Sequence, residues 1–125
     1  MRAWTSDELS RIGASEELAI TTLRQDGTPR RPLPIWVVRH DDDLYIRSVN
    51  GPTAAWYRAA SARREGHIRA GGVEREVTFV ETQDLHDAID AAFWAKYRRY
   101  PSIVPRIVRP EARAATLKLV PRATT

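Results

Sequence analysis

The sequence predicts an α+β, mainly β fold: an antiparallel β-barrel with helices set into its gaps. Two observations carry this. Five of the six predicted strands fall into hairpin-linked groups, and only the stretch from Asn50 to Gly66 separates consecutive strands by a helix. A doubly wound parallel sheet would need a crossover helix between nearly every pair. With 125 residues the chain has the length of a single domain, about 100 to 150 residues being common. One unit is therefore expected over 1–125, a lead-in helix over 1–14 and the barrel with its packing helices over 18–121.

Thr5 and Glu8 stand three apart, the signature of a capping box, and start a short helix that Gly13 stops. Leu18 to Arg24 is rich in β-branched and apolar residues and ends at Asp26-Gly27, a strong hairpin signal. Arg30 to His40 forms the second strand. Pro32 and Pro34 remove two backbone donors from its first half, which must therefore lie at an edge or a bulge. Asp41-Asp42-Asp43 is a polar turn. Leu44 to Val49 is the third strand, with Leu44, Ile46 and Ser48 on one face and Tyr45, Arg47 and Val49 on the other.

Asn50-Gly51-Pro52 breaks that strand, and Thr53 caps an alanine-rich helix that runs to a stop at Gly66. His67 to Ala70 is a brief strand, Gly71-Gly72 a tight turn, and Val73 to Thr82 an alternating strand with Val73, Val77 and Phe79 on its buried side. Asp84 opens a third helix, in which Leu85, Ala88, Ile89, Ala92, Phe93 and Lys96 recur at helical spacing, and Pro101 ends it. Residues 101–113 hold three prolines without regular period. Ala115 to Val120 is the last strand, with Leu117 and Leu119 facing alike.

Composition excludes several chemistries. With 0 Cys there is no disulfide, thiolate metal site or cysteine nucleophile, and a reducing cytoplasm is the expected location. The longest apolar runs are strand-sized, so no membrane span or secretory segment is expected. His40, His67 and His86 have no partner at metal-ligand spacing. No nucleophile elbow, P-loop or dinucleotide fingerprint occurs.

The most suggestive constellation is Arg47-Ser48-Val49-Asn50-Gly51-Pro52-Thr53, which leads a strand end into a helix start. Free N–H groups at a helix N-terminus, small residues and a guanidinium are what phosphate binding requires. The bland alternative is an ordinary capped turn. Trp36 and Trp56 lie nearby in the chain, and flat rings beside such a site would suit a planar cofactor, although core packing is the commoner use of aromatic residues.

Residues 24–38, running from Arg24 through Asp26-Gly27 and Arg30-Arg31-Pro32-Leu33-Pro34 to Val38, are followed by Asp43 to Ser48, Gly51 and Trp56-Tyr57. Together they resemble the flavin-binding split β-barrel superfamily, which includes pyridoxamine-phosphate-oxidase-like and deazaflavin-dependent nitroreductase-like proteins. Phe93-Trp94-Ala95-Lys96-Tyr97 and residues 115–121 resemble a small bacterial family of unassigned function within it. The resemblance spans about residues 18–121. It implies a homodimer of six-stranded split barrels with three helices, binding FMN or a deazaflavin coenzyme at the subunit interface and acting as an oxidoreductase on a small organic substrate.

By this resemblance, Arg31, Pro32, Pro34 and Trp36 correspond to the region that lines the ring. Arg47, Ser48 and Gly51 correspond to the phosphate or ribityl side, and Trp56 and Arg58 to the start of the helix over the tail; Asn50 and Thr53, from the strand-to-helix turn, are expected to hold the phosphate side with them. Arg58-Ala59 stands where the deazaflavin enzymes usually show Asn-Leu. A cofactor-free dimer using the same cleft for another ligand is the alternative.

The charge is uneven. Residues 1–95 hold 12 basic and 15 acidic residues, whereas 96–125 hold 8 basic and one acidic, so any polyanion preference is expected at the C-terminal end. There Tyr97-Arg98-Arg99-Tyr100 interleaves aromatics with guanidinium groups, which makes nucleic-acid binding the third reading.

Overall fold

A computed structural model describes residues 3–122. Seven strands among these residues form one fully antiparallel sheet: β1 (Leu18–Thr22), β2 (Leu33–Ile35), β3 (Val38–His40), β4 (Asp43–Arg47), β5 (Glu65–Ala70), β6 (Val73–Glu81) and β7 (Thr116–Pro121). Their order is β2-β1-β5-β6-β7-β4-β3, and the sheet curls into a half-barrel. Five α-helices accompany it: α1 (Ser6–Ala14), α2 (Ala55–Arg63), α3 (His86–Lys96), α4 (Val104–Ile107) and α5 (Pro110–Arg113). The α+β antiparallel class is as expected, but the counts of six strands and three helices are corrected to seven and five.

The extra strand comes from dividing the expected second strand. Leu33–Ile35 pairs with β1, and Val38–His40 pairs with β4 at the other end of the sheet. Residues 36 and 37 thus bridge the two edges. The apolar run from Leu33 to Val38 hides this break, because nothing in its pattern distinguishes a strand from two edge strands with a link. The prolines do mark an edge, as expected.

Val37 in the bridge is fully buried and has no strand to pair with. Its N–H donates to the Tyr97 hydroxyl at 3.2 Å, and its carbonyl accepts from Lys96 Nζ at 2.7 Å. Side chains from the end of α3 therefore do the work of a missing ladder, as the near-complete pairing of buried backbone groups demands.

Two apolar clusters lie on the two faces of the sheet. Inside the curl, Leu18, Ile20, Leu44, Ile46, Ile68, Val77, Phe79, Leu117 and Leu119 pack with Leu9 and Ile12 of α1. Outside it, Val38 and Tyr45 pack with Ile89, Phe93, Tyr97, Val104 and Ile107. The alternation expected of Leu44 to Val49 is correct, yet both of its faces are buried, so β4 has no wet side.

Several boundaries move. The capping box at Thr5 and Glu8 is present, with reciprocal hydrogen bonds of 3.0 and 3.1 Å, and α1 ends one residue beyond Gly13. Thr53 does not cap α2: Gly51–Thr53 is a 3-10 turn, the helix begins after Ala54, and no side chain caps it. Arg64, in the left-handed region at φ 59°, ends α2, while Gly66 lies within β5. A Cβ on Gly66 would come within 2.4 Å of the Thr21 carbonyl oxygen and 2.8 Å of the Phe79 ring, so this glycine serves strand packing. Leu85, not Asp84, flanks the start of α3, which ends at Lys96, ahead of Pro101. The proline-broken stretch forms α4 and α5. No helix among the described residues is long and apolar enough to cross a membrane.

Candidate functional site

The break between β2 and β3 leaves an opening where the curled sheet does not close. A cavity of about 320 Å³ sits there, lined by Pro34, Ile35 and Trp36 from the bridge, Arg47 to Asn50 from the end of β4, Ala54 and Trp56 from the start of α2, Ile103 and Ile107 beside α4, and Glu17. This volume is near the lower end of ligand sites, about 300 Å³, and suits one ring system better than a whole dinucleotide.

Trp36 forms one wall. Its indole stacks on Tyr97 with ring centres 3.8 Å apart and planes 2° from parallel. Tyr97 is fully buried and held by its hydroxyl, which accepts from Val37 N–H and lies 3.0 Å from the Glu16 carbonyl. Burial pushes the phenol's pKa up, so it stays protonated and keeps its donor. Trp36 is thus oriented by a chain of contacts reaching back through α3.

Ser48 is the unusual polar group. It is 1% exposed, it belongs to the lining of the cavity, and its buried hydroxyl has no hydrogen-bond partner. Leaving a hydroxyl unpaired in an apolar setting costs about 1 to 3 kcal/mol, which a ligand's polar atom would relieve. The first N–H groups of α2, which begins after Ala54 of the lining, have no side-chain cap.

Arg47 does not do what the sequence implied. It projects from the expected face of β4, but its side chain is fully buried and committed to the protein. Nε donates to Thr116 Oγ1 at 3.0 Å, and Nη1 donates to Asp90 Oδ1 at 2.5 Å and to the Ile107 carbonyl at 3.2 Å. Nη2 lies 3.3 Å from His86 Nδ1, and the guanidinium sits over the Phe93 ring at 5.5 Å. Arg113 Nε binds the other carboxylate oxygen of Asp90 at 3.0 Å. Desolvation, then the charges of Arg47 and Arg113, lower the pKa of His86, favouring its neutral form. The guanidinium is a structural tie between β4, β7 and α3, leaving no face for an anion.

Of the other expected site residues, the cavity brings together Pro34, Trp36, Ser48, Asn50 and Trp56. It leaves out five. Arg31 and Pro32 are exposed, and Pro32 lines a different small hollow with His67 and Arg69. Gly51, at φ 79°, packs against Glu111 of α5, and Thr53 is exposed. Arg58 faces another groove. The residues missed are Glu17, Ile35, Val49, Ala54, Ile103 and Ile107 of the lining, and Tyr97 behind Trp36. Tyr97 carried a signal in the helical spacing from Phe93, whereas Ile103 and Ile107 lie in the segment without period.

Part of the basic C-terminal segment is engaged in ion pairs. Arg99, Arg109, Arg113 and Arg122 pair with Glu16, Glu111, Asp90 and Glu65, and Tyr97 is buried. Tyr100 donates to Glu16 at 2.7 Å. Three of these four carboxylates come from residues 1–95, and Lys96, Arg98, Arg106 and Lys118 form no ion pair among the described residues.

A curled antiparallel sheet with this strand order and an open seam defines a split-barrel protein, and solved structures agree. An F420 reductase is 19% identical, the match covering 93% of this chain and 92% of that one with a TM-score of 0.53. A FAD-binding protein from Mesorhizobium loti is 17% identical, covering 98% and 93%, with a TM-score of 0.56. The heme storage protein HutZ from Vibrio cholerae is 11% identical, covering 99% and 93%, with a TM-score of 0.64. At such identities the likeness is one of fold, and it bears out the split-barrel fold that the resemblance implied. The chain itself belongs to the family described as "Uncharacterized protein conserved in bacteria (DUF2255)", which it matches over residues 8–119. No curated protein matches the sequence.

Proposed function

We propose that the cleft holds the ring of a flavin or deazaflavin and that the protein is a cytoplasmic oxidoreductase acting on a small organic substrate, with the cleft at a homodimer interface. The observation that carries this is a cavity walled by Trp36 and Trp56 whose lining includes Ser48, a residue with a buried and unpartnered hydroxyl. A flat heteroaromatic ring with polar edge atoms answers both features, stacking on an indole and meeting the hydroxyl. When bound, such a cofactor carries the hydride itself, so no protein triad is needed.

In this reading Trp36 and Trp56 bind the ring, and Ser48 hydrogen-bonds an edge atom. Tyr97 keeps Trp36 in place. Ile35, Val49, Ile103 and Ile107 exclude water from the reacting face. Arg47 acts at one remove, by anchoring the end of β4 that presents Ser48. Both the F420 reductase and the FAD-binding protein among the structural neighbours support a flavin-type ligand. Heme is less well served, since none of His40, His67 and His86 lines the cleft to supply an axial ligand.

The test is the absorbance spectrum of the purified protein, followed by titration with FMN and with the deazaflavin coenzyme while tryptophan fluorescence is recorded. Saturable quenching is expected with one of them. A colourless protein that shows neither quenching nor a raised melting temperature with either would overturn the reading and leave the cleft to another ligand.

A further inference from the structure

A second hollow lies on the far side of the first turn of α2. Its volume is about 550 Å³, and it is lined by Leu23, Arg24, Gln25 and Arg30 on one side and by Ala55, Arg58, Ala59, Ala62 and Arg63 on the other. The latter five positions are one face of a helix, at spacings of three and four. The face opposite carries Tyr57 and Ala60, which are buried. The alanines form a floor of small side chains and the arginines the walls, over a length of roughly 12 Å from Ala55 to Arg63 at about 1.5 Å per residue.

No acidic residue lines this groove, and none of Arg24, Arg30, Arg58 and Arg63 forms an ion pair among the described residues. Eight other arginines do and five described ones outside the groove do not, so what sets this hollow apart is that four arginines without an ion pair line it together. Three of the four are steadied by carbonyls instead. Arg24 donates to the Pro29 carbonyl at 2.7 Å, Arg63 to that of Gln25 at 2.9 Å and Arg30 to that of Ala55 at 3.3 Å. Each of these contacts uses one guanidinium nitrogen and orients the group without neutralising it. Arg58 has no side-chain partner among the described residues.

We propose that this groove is a second ligand site, taking the linear oligophosphate group of a small molecule. Four like charges held around one hollow repel one another, and an anion that meets several of them together removes that repulsion while gaining charge-assisted contacts. The helix face along the hollow runs roughly 12 Å, which favours a chain of anionic groups over a compact one. The lining holds no aromatic side chain on which a base could stack, so recognition is through phosphate. The inference does not depend on what fills the aromatic cleft.

Tripolyphosphate is the probe, with binding measured by calorimetry at low and at physiological salt. Saturable 1:1 binding is expected, weakening as salt rises. Arg58→Glu, which breaks no contact within the protein, should weaken it at least tenfold, and Arg63→Gln should weaken it to a lesser degree. Arg106→Glu changes an exposed arginine outside the groove by the same charge and should leave affinity within twofold. A melting curve for each variant checks folding. No saturable binding by the wild-type protein, or equal weakening by Arg58→Glu and Arg106→Glu, would overturn the site. Binding of single-stranded oligonucleotide in preference to tripolyphosphate would do the same.

Discussion

Arg47 and Ser48 are neighbours with opposite roles. The Arg47 guanidinium reaches β7, α3 and the carbonyl end of α4 from a fully buried position, and Asp90, whose side chain is 14% exposed, is neutralised by it on one oxygen and by Arg113 on the other. Arg47→Met should therefore lower stability by about 3 to 5 kcal/mol, the usual cost of breaking a buried ion pair from one side. Urea denaturation would show it, and a change below about 1 kcal/mol would mean that the network is dispensable. Ser48→Ala removes a hydroxyl that bonds nothing in the protein, so the fold should keep its stability or gain slightly. Flavin or deazaflavin affinity should fall by about three- to tenfold, in line with roughly 0.5 to 1.5 kcal/mol for one neutral hydrogen bond. Unchanged affinity in that variant would take Ser48 out of the site.

The end of α3 governs the bridge that makes the cleft. Tyr97→Phe would strand the Val37 N–H in a buried position and is expected to cost about 1 to 3 kcal/mol. Lys96 gives the same element a pH dependence. Burial lowers its pKa to about 8 from 10.5, with Glu16 opposing the shift only partly. Between these values the unfolded chain keeps the proton and the folded chain has lost it, so this group makes stability rise with pH across that window. In Lys96→Met the rise should be absent. The comparison is the change in melting temperature from pH 8 to 9.5 in the two proteins, and parallel curves would show that Lys96 does not titrate as stated. None of this was visible in the chain alone. The helical pattern read from the sequence included Lys96 but not Tyr97, and their partner is a backbone 59 or 60 residues away, at a strand break that an unbroken apolar run conceals.

At the scale of the whole molecule, local signals carried well and pairings across the chain did not. Asp26-Gly27, the aspartate turn at 41–43 and Gly71-Gly72 each punctuate the sheet as their turn chemistry requires. The alternation of β4, β6 and β7 assigns their faces correctly. The destination of a charged side chain is another matter: Arg47 was placed on the right face, yet whether it meets a ligand or Asp90 depends on how α3 docks.

The same scale decides assembly. Leu33 at 39% and Ile103 at 40% exposure are large apolar side chains, on the edge strand β2 and at the lining of the cleft. Pro34 removes a donor from that edge, so a second copy is expected to cover it through side chains and not by extending the sheet. The protein should run as a dimer, twice its 14.2 kDa, at micromolar concentration by light scattering. Leu33→Asp should shift it to monomer and, if the cleft is completed by the partner, weaken flavin or deazaflavin binding in step. A wild-type monomer would remove the interface. A dimer whose dissociation leaves ligand affinity unchanged would place the whole site within one copy.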